Sequence, residues 1–420
     1  MSISKSWSRT YPLVTVLLAL TAPLNAHADV ITDWNAKSDE IAAQKQLPPV
    51  PHSRGMAMLH VAMFEAVNAI DRKYSPYKLS LAADRNTSKE AAAASSGYEM
   101  LLALHPDRKA ELNAALAAML AAVPEGDTKR AGIELGRTAA AEILVLRSKD
   151  GINAQETYRP PTTPGFYIPT TIPVFSTVPG VTPWVMTSAS QFRPAAPPSL
   201  TSETWTKDLN EIREIGGLNS AKRTSEQTAI GRFWFLTGPR SYNGIVRQIA
   251  IAKDMNITDC ARMFALVAVA ANDALISVFD AKYTYNLWRP LTAIRNADQT
   301  NNSATPREAS WLPLGDTPMH PEYPCAHCIS SAAVSTVLQA IVGDEVGEIS
   351  LTSPTAPGVT RKWTRLRDYS DEVSMARIYA GFHYRFSTEV GKDMGKKIGE
   401  LTVSTQLRGV EASAAPATRQ

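Results

Sequence analysis

The chain has 420 residues, a formal net charge of +3 and three cysteines. A charge this small, carried by dispersed Lys and Arg residues, argues against nucleic acid or an anionic membrane as a partner but leaves small anions open. Cys260, Cys325 and Cys328 are too few for a fold that depends on a disulfide network. The length suffices for one large helical domain or two packed halves with a sizeable core.

The first 28 residues have the features of a secretory signal peptide. Lys5 and Arg9 precede an apolar run over residues 12–24, and small residues then lead to Ala28. The run is too short to cross a bilayer, which takes about 20 apolar residues. We therefore expect cleavage after Ala28, a periplasmic or secreted mature protein, and no membrane span.

Helical periodicity dominates the N-terminal half, residues 29–157. Met56, Leu59 and Met63 recur at spacings of three and four behind Ser53, which predicts a helix capped by Ser53. Alanine-rich segments predict further helices at 88–104, 107–122 and 127–148.

Residues 158–205 break this pattern with dense prolines and interleaved aromatic residues. Proline removes a backbone donor and fixes φ, so the segment is predicted to be irregular. One interpretation is a linker between two helical halves. We favour a segment that wraps the body, packs its aromatic side chains against it and shapes the entrance of the functional site, because a linker does not need large apolar groups.

Helical patterns resume in the C-terminal half, residues 206–408. Helices are predicted at 204–214, 222–235 and 240–254, and a long one from Thr258 to about Trp288. No segment alternates as a strand does, and residues 409–420 are predicted to be disordered. The predicted fold is all-α, with helical bundles and one long Pro-rich irregular segment.

The first candidate functional segment contains Lys282, Arg289 and Pro290. Seven residues are close to two helical turns, so Lys282 and Arg289 would share one face if the helix continued. Pro290 disfavours helix at the residue before it, which places Arg289 at a helix end. Two aligned cations there would clamp an oxyanion; a solvated charged face is the alternative interpretation.

The second segment is rich in proline and ends in Cys325-Ala-His-Cys328. An apolar helical pattern that stops at Gly343 follows, which places the cysteines at a helix N-terminus, where free N–H groups favour an anion. His327 would donate a proton beside that anion. Alternatively, His320, His327 and the two cysteines would bind zinc, although structural zinc sites usually draw ligand pairs from separate segments.

The third segment contains Arg377 and His383. Six residues on a straight helix would point these side chains in different directions. Gly381 is the natural place for a break. A turn at Gly381 would let both side chains reach one pocket.

Together, the three segments resemble the signature shared by vanadium-dependent haloperoxidases and the type 2 phosphatidic acid phosphatase superfamily. The matching residues are Lys282, Arg289, Pro290, Pro324, Cys325, Ala326, His327, Arg377 and His383. Residues 62–70, 233–243 and 379–391 are more similar to bacterial haloperoxidase-like proteins than to the membrane-embedded lipid phosphatases. The resemblance implies the helical-bundle fold of that family.

The resemblance also implies a role for each matching residue. The residues expected to bind the oxygens of vanadate or phosphate are Lys282, Arg289, Cys325, Ala326 and Arg377. His327 would be the acid–base group, and His383 would be the vanadium ligand or the phosphoryl nucleophile.

Four positions depart from the family pattern. Cys325 and Ala326 replace a serine and a glycine, Ala376 replaces a serine, and Ser387 replaces the aspartate that commonly orients the histidine of the third segment. A thiol is a weak donor to an oxyanion and is oxidised by peroxide. A disulfide to Cys328 would protect it, which the sequence leaves open.

These observations favour an enzyme in which vanadate, coordinated by His383, binds hydrogen peroxide and oxidises a halide or another small nucleophile. The alternative is an acid phosphatase that hydrolyses phosphomonoesters through a phosphohistidine at His383, with His327 protonating the leaving alcohol. Vanadate and phosphate share geometry and charge, so the pocket residues do not separate these two. A third hypothesis is an anion-binding or dithiol redox protein that uses Cys325 and Cys328.

Overall fold

The computed structural model describes residues 30–410, which form thirteen α-helices, four short 3-10 turns and one β-hairpin. The helices α1 to α13, in chain order, are Val30–Gln44, Pro49–Asp71, Lys89–Leu104, Lys109–Ala121, Asp127–Arg147, Glu203–Ile215, Ser225–Phe233, Asn243–Ala252, Ile257–Tyr285, Pro290–Arg295, Ala326–Val342, Leu366–Tyr379 and Arg385–Thr405. The antiparallel strands β1 and β2 are Glu345–Ser353 and Ala356–Arg365. The predicted signal peptide lies outside the described residues.

The predicted mostly helical fold class is confirmed, and the predicted helices between residues 88 and 148 are all present. The prediction that Ser53 caps a helix is wrong. Helix α2 begins at Pro49, and Ser53 lies inside it, 1% exposed. Prolines fit the first turn of a helix because those backbone positions need no N–H donor.

The hairpin of β1 and β2 was not predicted. Its ladder has register shifts, and Gly347 and Gly358 adopt positive φ values of +76° and +80°. Such irregularities disturb the two-residue alternation by which a strand is recognised in a sequence. Trp363 of β2 packs edge-on against Tyr369 of α12, with ring centroids 5.6 Å apart, so the hairpin supports a helix that lines the functional cavity.

Helix α9 is the centre of the fold, in contact with α2 on one side and α11 on the other. By length and composition it could cross a membrane, but its most apolar stretch is entirely buried among the other described helices. The main hydrophobic core extends from Ile31 to Leu407 and includes side chains from both predicted halves. The two halves therefore share one core.

The Pro-rich segment lies against the body of the protein. Its Trp184, Val185 and Met186 donate backbone N–H groups to the buried carboxylate of Asp273 on α9, at 2.7 to 3.0 Å. Trp184 is 3% exposed, and Arg147 of α5 lies over its ring at 4.3 Å. These contacts hold the segment against two helices.

The last described residues are ordered, which corrects the first part of the predicted tail. Gly409 forms a β-bridge with Tyr74, and the Val410 N–H donates to the Lys73 carbonyl at 3.1 Å. Residues 411–420 of that prediction lie outside the described residues.

Candidate active site

Lys282 and Arg289 meet at one site, but not because they share a helical face. Helix α9 ends at Tyr285, where Asn286 adopts a left-handed conformation with φ +52°, and Arg289 is the extended N-cap of α10. The prediction of a helix as far as Trp288 is therefore wrong, because the left-handed residue turns the chain out of the helix three residues before Arg289.

Lys282 and Arg289 both bind the stretch of chain that precedes α11. The Lys282 Nζ donates to the carbonyls of Pro321 and Glu322, at 3.0 and 2.7 Å. The Arg289 Nε donates to the His320 carbonyl at 2.8 Å, and its Nη2 lies 3.0 Å from His320 Nδ1. The chain that precedes α11 is thus fixed against the end of α9.

Arg289 also positions His383. Its Nη1 donates to the Phe382 carbonyl at 3.0 Å and lies 3.2 Å from His383 Nε2. Arg289 and His383 are each 1% exposed. This guanidinium therefore touches the nitrogen for which the sequence predicts a ligand or nucleophile role.

The break predicted at Gly381 is confirmed. Helix α12 ends at Tyr379 and Gly381 has φ +78°, a conformation that favours glycine. A Cβ at Gly381 would lie 2.4 Å from the Gly216 carbonyl oxygen, so the position also lacks room for a side chain. The turn brings the His383 ring back toward Arg377 of α12.

Arg377 is 2% exposed and has unused hydrogen-bonding capacity. Its Nη1 donates to the Trp234 carbonyl at 2.6 Å, and its guanidinium lies over the Phe382 ring at 4.8 Å. Its Nε has no hydrogen-bond partner within the described part of the chain. A buried donor without a partner is unfavourable, and an oxyanion in the cavity would supply an acceptor.

Glu322 lies beside His383 and was not identified from the sequence. Its Oε1 lies 2.8 Å from His383 Nδ1 and accepts the Tyr384 N–H at 3.1 Å, while Ser387 Oγ is 3.5 Å from the same Nδ1. Burial raises the pKa of Glu322 to about 7, although Lys282 favours its ionised form. The absence of the family aspartate at position 387 was the available signal that another carboxylate had to take its place.

The N-terminus of α11 is closed by a disulfide between Cys325 and Cys328, whose Cα atoms are 5.3 Å apart. The Cys325 N–H also donates to the Ser387 carbonyl at 3.2 Å, which ties α11 to the start of α13. A disulfide sulfur has no proton, so the expectation that Cys325 donates from its thiol to an oxyanion is wrong. Ala326 and His327 line the cavity in its stead.

The zinc alternative finds no support in the structure. Two of the four proposed ligands, Cys325 and Cys328, are joined in the disulfide. Between residues 30 and 410, no three His, Cys, Asp or Glu side chains are placed to hold a metal ion together.

The site opens into a cavity of about 470 Å³. Its polar lining includes Asp316, His320, His327, Arg377 and His383, and its apolar lining includes Ala326, Phe175, Phe279 and Phe382. His327 Nε2 lies 3.2 Å from the Leu236 carbonyl oxygen. Phe175 belongs to the Pro-rich segment, so that segment forms part of the cavity wall. Lys282 and Arg289 lie behind the lining.

The charge of the site is strongly unbalanced. Burial first, and the neighbouring arginines second, hold the pKa values of His327 and His383 well below the usual range, so both imidazoles are neutral at neutral pH. Burial likewise lowers the pKa of Arg289 to about 10 and that of Arg377 to about 9, and both stay protonated. Among the described residues, the Glu322 carboxylate acts on Lys282 and Arg289, and Asp316 also lines the cavity. The three cations outnumber these two carboxylates, so the cavity favours an anion.

Comparison with known proteins agrees with this geometry. Residues 262–411 match the family model described as the VCPO second helical-bundle domain. The vanadium chloroperoxidase of Curvularia inaequalis is 28% identical over 241 residues, which cover 42% of this chain and 39% of that protein. The match thus spans about two fifths of the length of this curated relative.

Solved structures extend the similarity to nearly the whole chain. The crystal structure of the first bacterial vanadium-dependent iodoperoxidase has a TM-score of 0.78 at 26% identity, and the alignment covers 90% of this chain and 97% of that one. The apo and holo structures of a bacterial vanadium-dependent chloroperoxidase have TM-scores of 0.66 and 0.65, at 16% and 17% identity. They cover 85% of this chain and 94% and 92% of theirs, and they show a shared fold.

Proposed function

We propose that this chain, which belongs with the vanadium haloperoxidases by its fold and its second helical-bundle domain, is an enzyme that uses vanadate and hydrogen peroxide to oxidise a halide. The observation that carries the proposal is the position of the neutral His383 ring. Its Nε2 lies 3.2 Å from Nη1 of the buried Arg289 guanidinium. A histidine ligand next to fixed cations is what an oxyanion cofactor with a metal centre requires.

The residues present fit vanadate. Lys282, Arg289 and Arg377 supply buried positive charge, and the unpartnered Arg377 Nε is a donor that an oxyanion oxygen would satisfy. The backbone N–H groups of Ala326 and His327 lie in the first turn of α11, where a helix favours an anion. Three cations, a helix N-terminus and a neutral imidazole are together a suitable donor set.

Glu322 determines which nitrogen of His383 carries the proton. Its carboxylate, 2.8 Å from Nδ1, accepts the Nδ1 proton and leaves the lone pair on Nε2, which faces Arg289. Carboxylate support of this kind fixes the tautomer of a metal-binding histidine and raises its basicity. His383 is therefore prepared to bind a metal centre through Nε2.

When bound, vanadate supplies a Lewis-acid centre that activates hydrogen peroxide toward a nucleophile. The protein contributes proton transfer and a cavity with an apolar wall. His327 donates its Nε2 proton to the Leu236 carbonyl, which leaves Nδ1 to accept a proton from peroxide. The aromatic wall of Phe175, Phe279 and Phe382 limits the water around that exchange.

The substrates we propose are hydrogen peroxide and a halide, with a small organic molecule as the final acceptor. We further propose that the protein acts in the periplasm or outside the cell, as the N-terminal sequence predicts. Mass spectrometry of the mature N-terminus tests the second proposal, since cleavage after Ala28 is expected and an intact N-terminus would contradict it.

A side-by-side assay separates oxidation from hydrolysis. The purified protein is stripped of bound anions, reloaded with vanadate, and tested for peroxide-dependent oxidation of iodide and for hydrolysis of p-nitrophenyl phosphate. Halide oxidation without hydrolysis is expected. Hydrolysis that vanadate inhibits, without halide oxidation, would overturn the proposal and select the phosphatase alternative.

A further inference from the structure

A second cavity of about 520 Å³ adjoins the active-site cavity. Phe175 lines both cavities. The first turn of α2 also separates them, since Pro49 lines the first cavity and Val50 the second. The Phe175 side chain therefore forms part of the wall of each cavity.

Phe175 is held in an unusual conformation. Its φ of +66° lies in the left-handed region, which is uncommon for an aromatic residue. Its ring packs edge-on against Phe279 with centroids 5.0 Å apart, and Phe279 packs edge-on against His320 at 5.2 Å. These contacts place the ring between the second cavity and the site of oxidation.

Two cations, each paired with a carboxylate, line the second cavity. They are Lys45 and Arg54, and no carboxylate of the described residues is part of the lining itself. Lys45 Nζ pairs with Asp107 at 2.7 Å, but the Asp107 side chain is 56% exposed, so another carboxylate can replace it at little cost. Arg54 donates through Nε and Nη2 to Asp150 and to the Arg147 carbonyl, and its Nη1 has no hydrogen-bond partner among the described residues.

The rest of the lining mixes polar side chains, among them His52 and His105, with apolar ones. Leu47, Leu104, Ile152 and Val178 surround the space beside Phe175. The volume lies within the range of roughly 300 to 1,000 Å³ that is typical of small-molecule sites. A chamber with apolar side chains, two cations and one aromatic wall suits a ring that bears a negative charge.

We propose that the second cavity binds the organic acceptor of the oxidised halogen, and that this acceptor is an electron-rich aromatic carboxylate. The inference rests on the proposed function, which supplies hypohalous acid in the neighbouring cavity. In the transfer, a ring carbon attacks the halogen and a carbon–halogen bond forms as the halogen–oxygen bond breaks. The ring loses one proton, and the released hydroxide takes it up as water.

Binding is measured first, without peroxide or halide. Isothermal titration of the full protein, saturated with vanadate so that the first cavity is occupied, compares 4-hydroxybenzoate with its uncharged analogue 4-hydroxybenzamide. The carboxylate is expected to bind more tightly. Lys45→Gln should weaken carboxylate binding by roughly fivefold, as expected for a partly exposed ion pair, and should leave amide binding unchanged.

Lys37→Gln is the matched control. Lys37 lies on α1 and pairs with Glu40, and it does not line the cavity. The Lys37→Gln protein should bind both probes as the wild type does. Equal affinity of the wild type for the two probes, or an unchanged carboxylate affinity in Lys45→Gln, would overturn the proposal.

Competition during turnover gives the second readout. Both probes are present at equal concentration, and the ratio of iodinated carboxylate to iodinated amide is measured. This ratio should be higher with the wild type than with free hypoiodite. In Lys45→Gln the ratio should move to that of the free reagent. A wild-type ratio equal to that of free hypoiodite would refute capture in this cavity, whereas an absence of iodide oxidation would count against the proposed function alone.

Discussion

Replacement of the Glu322 carboxylate by an amide tests the role of His383 with the least disturbance of shape. Glu322→Gln keeps an oxygen that accepts hydrogen bonds from His383 Nδ1 and from the Tyr384 backbone nitrogen. These two nitrogens lie 2.8 and 3.1 Å from Oε1 of Glu322. It removes the negative charge that makes the imidazole a stronger metal ligand. Loss of such a partner lowers metal affinity by roughly 10- to 100-fold, or about 1.4 to 2.8 kcal/mol.

A second effect acts in the opposite direction, because the change also removes a negative charge that lies beside the buried Lys282 and Arg289. Vanadate and phosphate have similar shape and charge, so this Coulomb effect acts on both anions alike. Only vanadate gains from a bond to the His383 nitrogen. The ratio of vanadate to phosphate affinity therefore isolates the contribution of the histidine.

Equilibrium dialysis of both anions measures that ratio. In Glu322→Gln the preference for vanadate should fall by roughly 10- to 100-fold, with phosphate affinity unchanged or higher. Adding Ser387→Asp should restore part of the preference, since Ser387 Oγ lies 3.5 Å from the same Nδ1. Thermal unfolding controls for loss of fold. An unchanged preference in a folded Glu322→Gln protein would refute the assigned role.

Three further predictions test the other parts of the site. His383→Ala should abolish halide oxidation and weaken vanadate retention. His327→Ala should still bind vanadate but lose roughly 10²- to 10⁴-fold in turnover. Equal loss of vanadate from both variants, measured by dialysis, would contradict these two roles. Vanadate binding should take up a proton and strengthen as pH falls, because burial and Arg377 hold the pKa of His327 low and a bound anion beside it raises that pKa. A binding heat that does not depend on the buffer's ionisation enthalpy would count against it. Cys328→Ala should leave a Cys325 thiol that peroxide oxidises, with progressive loss of activity. The double variant Cys325→Ser with Cys328→Ala has no such thiol and should resist inactivation by peroxide. Equal inactivation rates of the two variants would show that the disulfide has no protective role.

The sequence predicts most of the helices because their periodicity is a local property. Helices α3 and α5 contain long alanine-rich runs with clear ends, and both were predicted to within one residue at each end. The end of α9 was missed because Asn286, rather than Pro290, turns the chain. A left-handed asparagine leaves only a weak signal in a sequence.

The residues proposed for the site were assigned because their spacing resembles a known signature. Glu322 could not be assigned in the same way. Its contact with His383 joins residues 61 positions apart and depends on how Lys282 and Arg289 hold the chain before α11. The closure of the disulfide was also left open, since spacing permits the Cys325 to Cys328 bond but does not require it.

Stoichiometric reconstitution tests the central claim most directly. Protein freed of bound anions is titrated with vanadate, and peroxide-dependent iodide oxidation is measured against vanadium bound per chain. Activity should rise in proportion to bound vanadium, reach its maximum at one vanadium per chain, and be absent from His383→Ala at every loading. Full occupancy of the site by vanadate without halide oxidation would contradict the account.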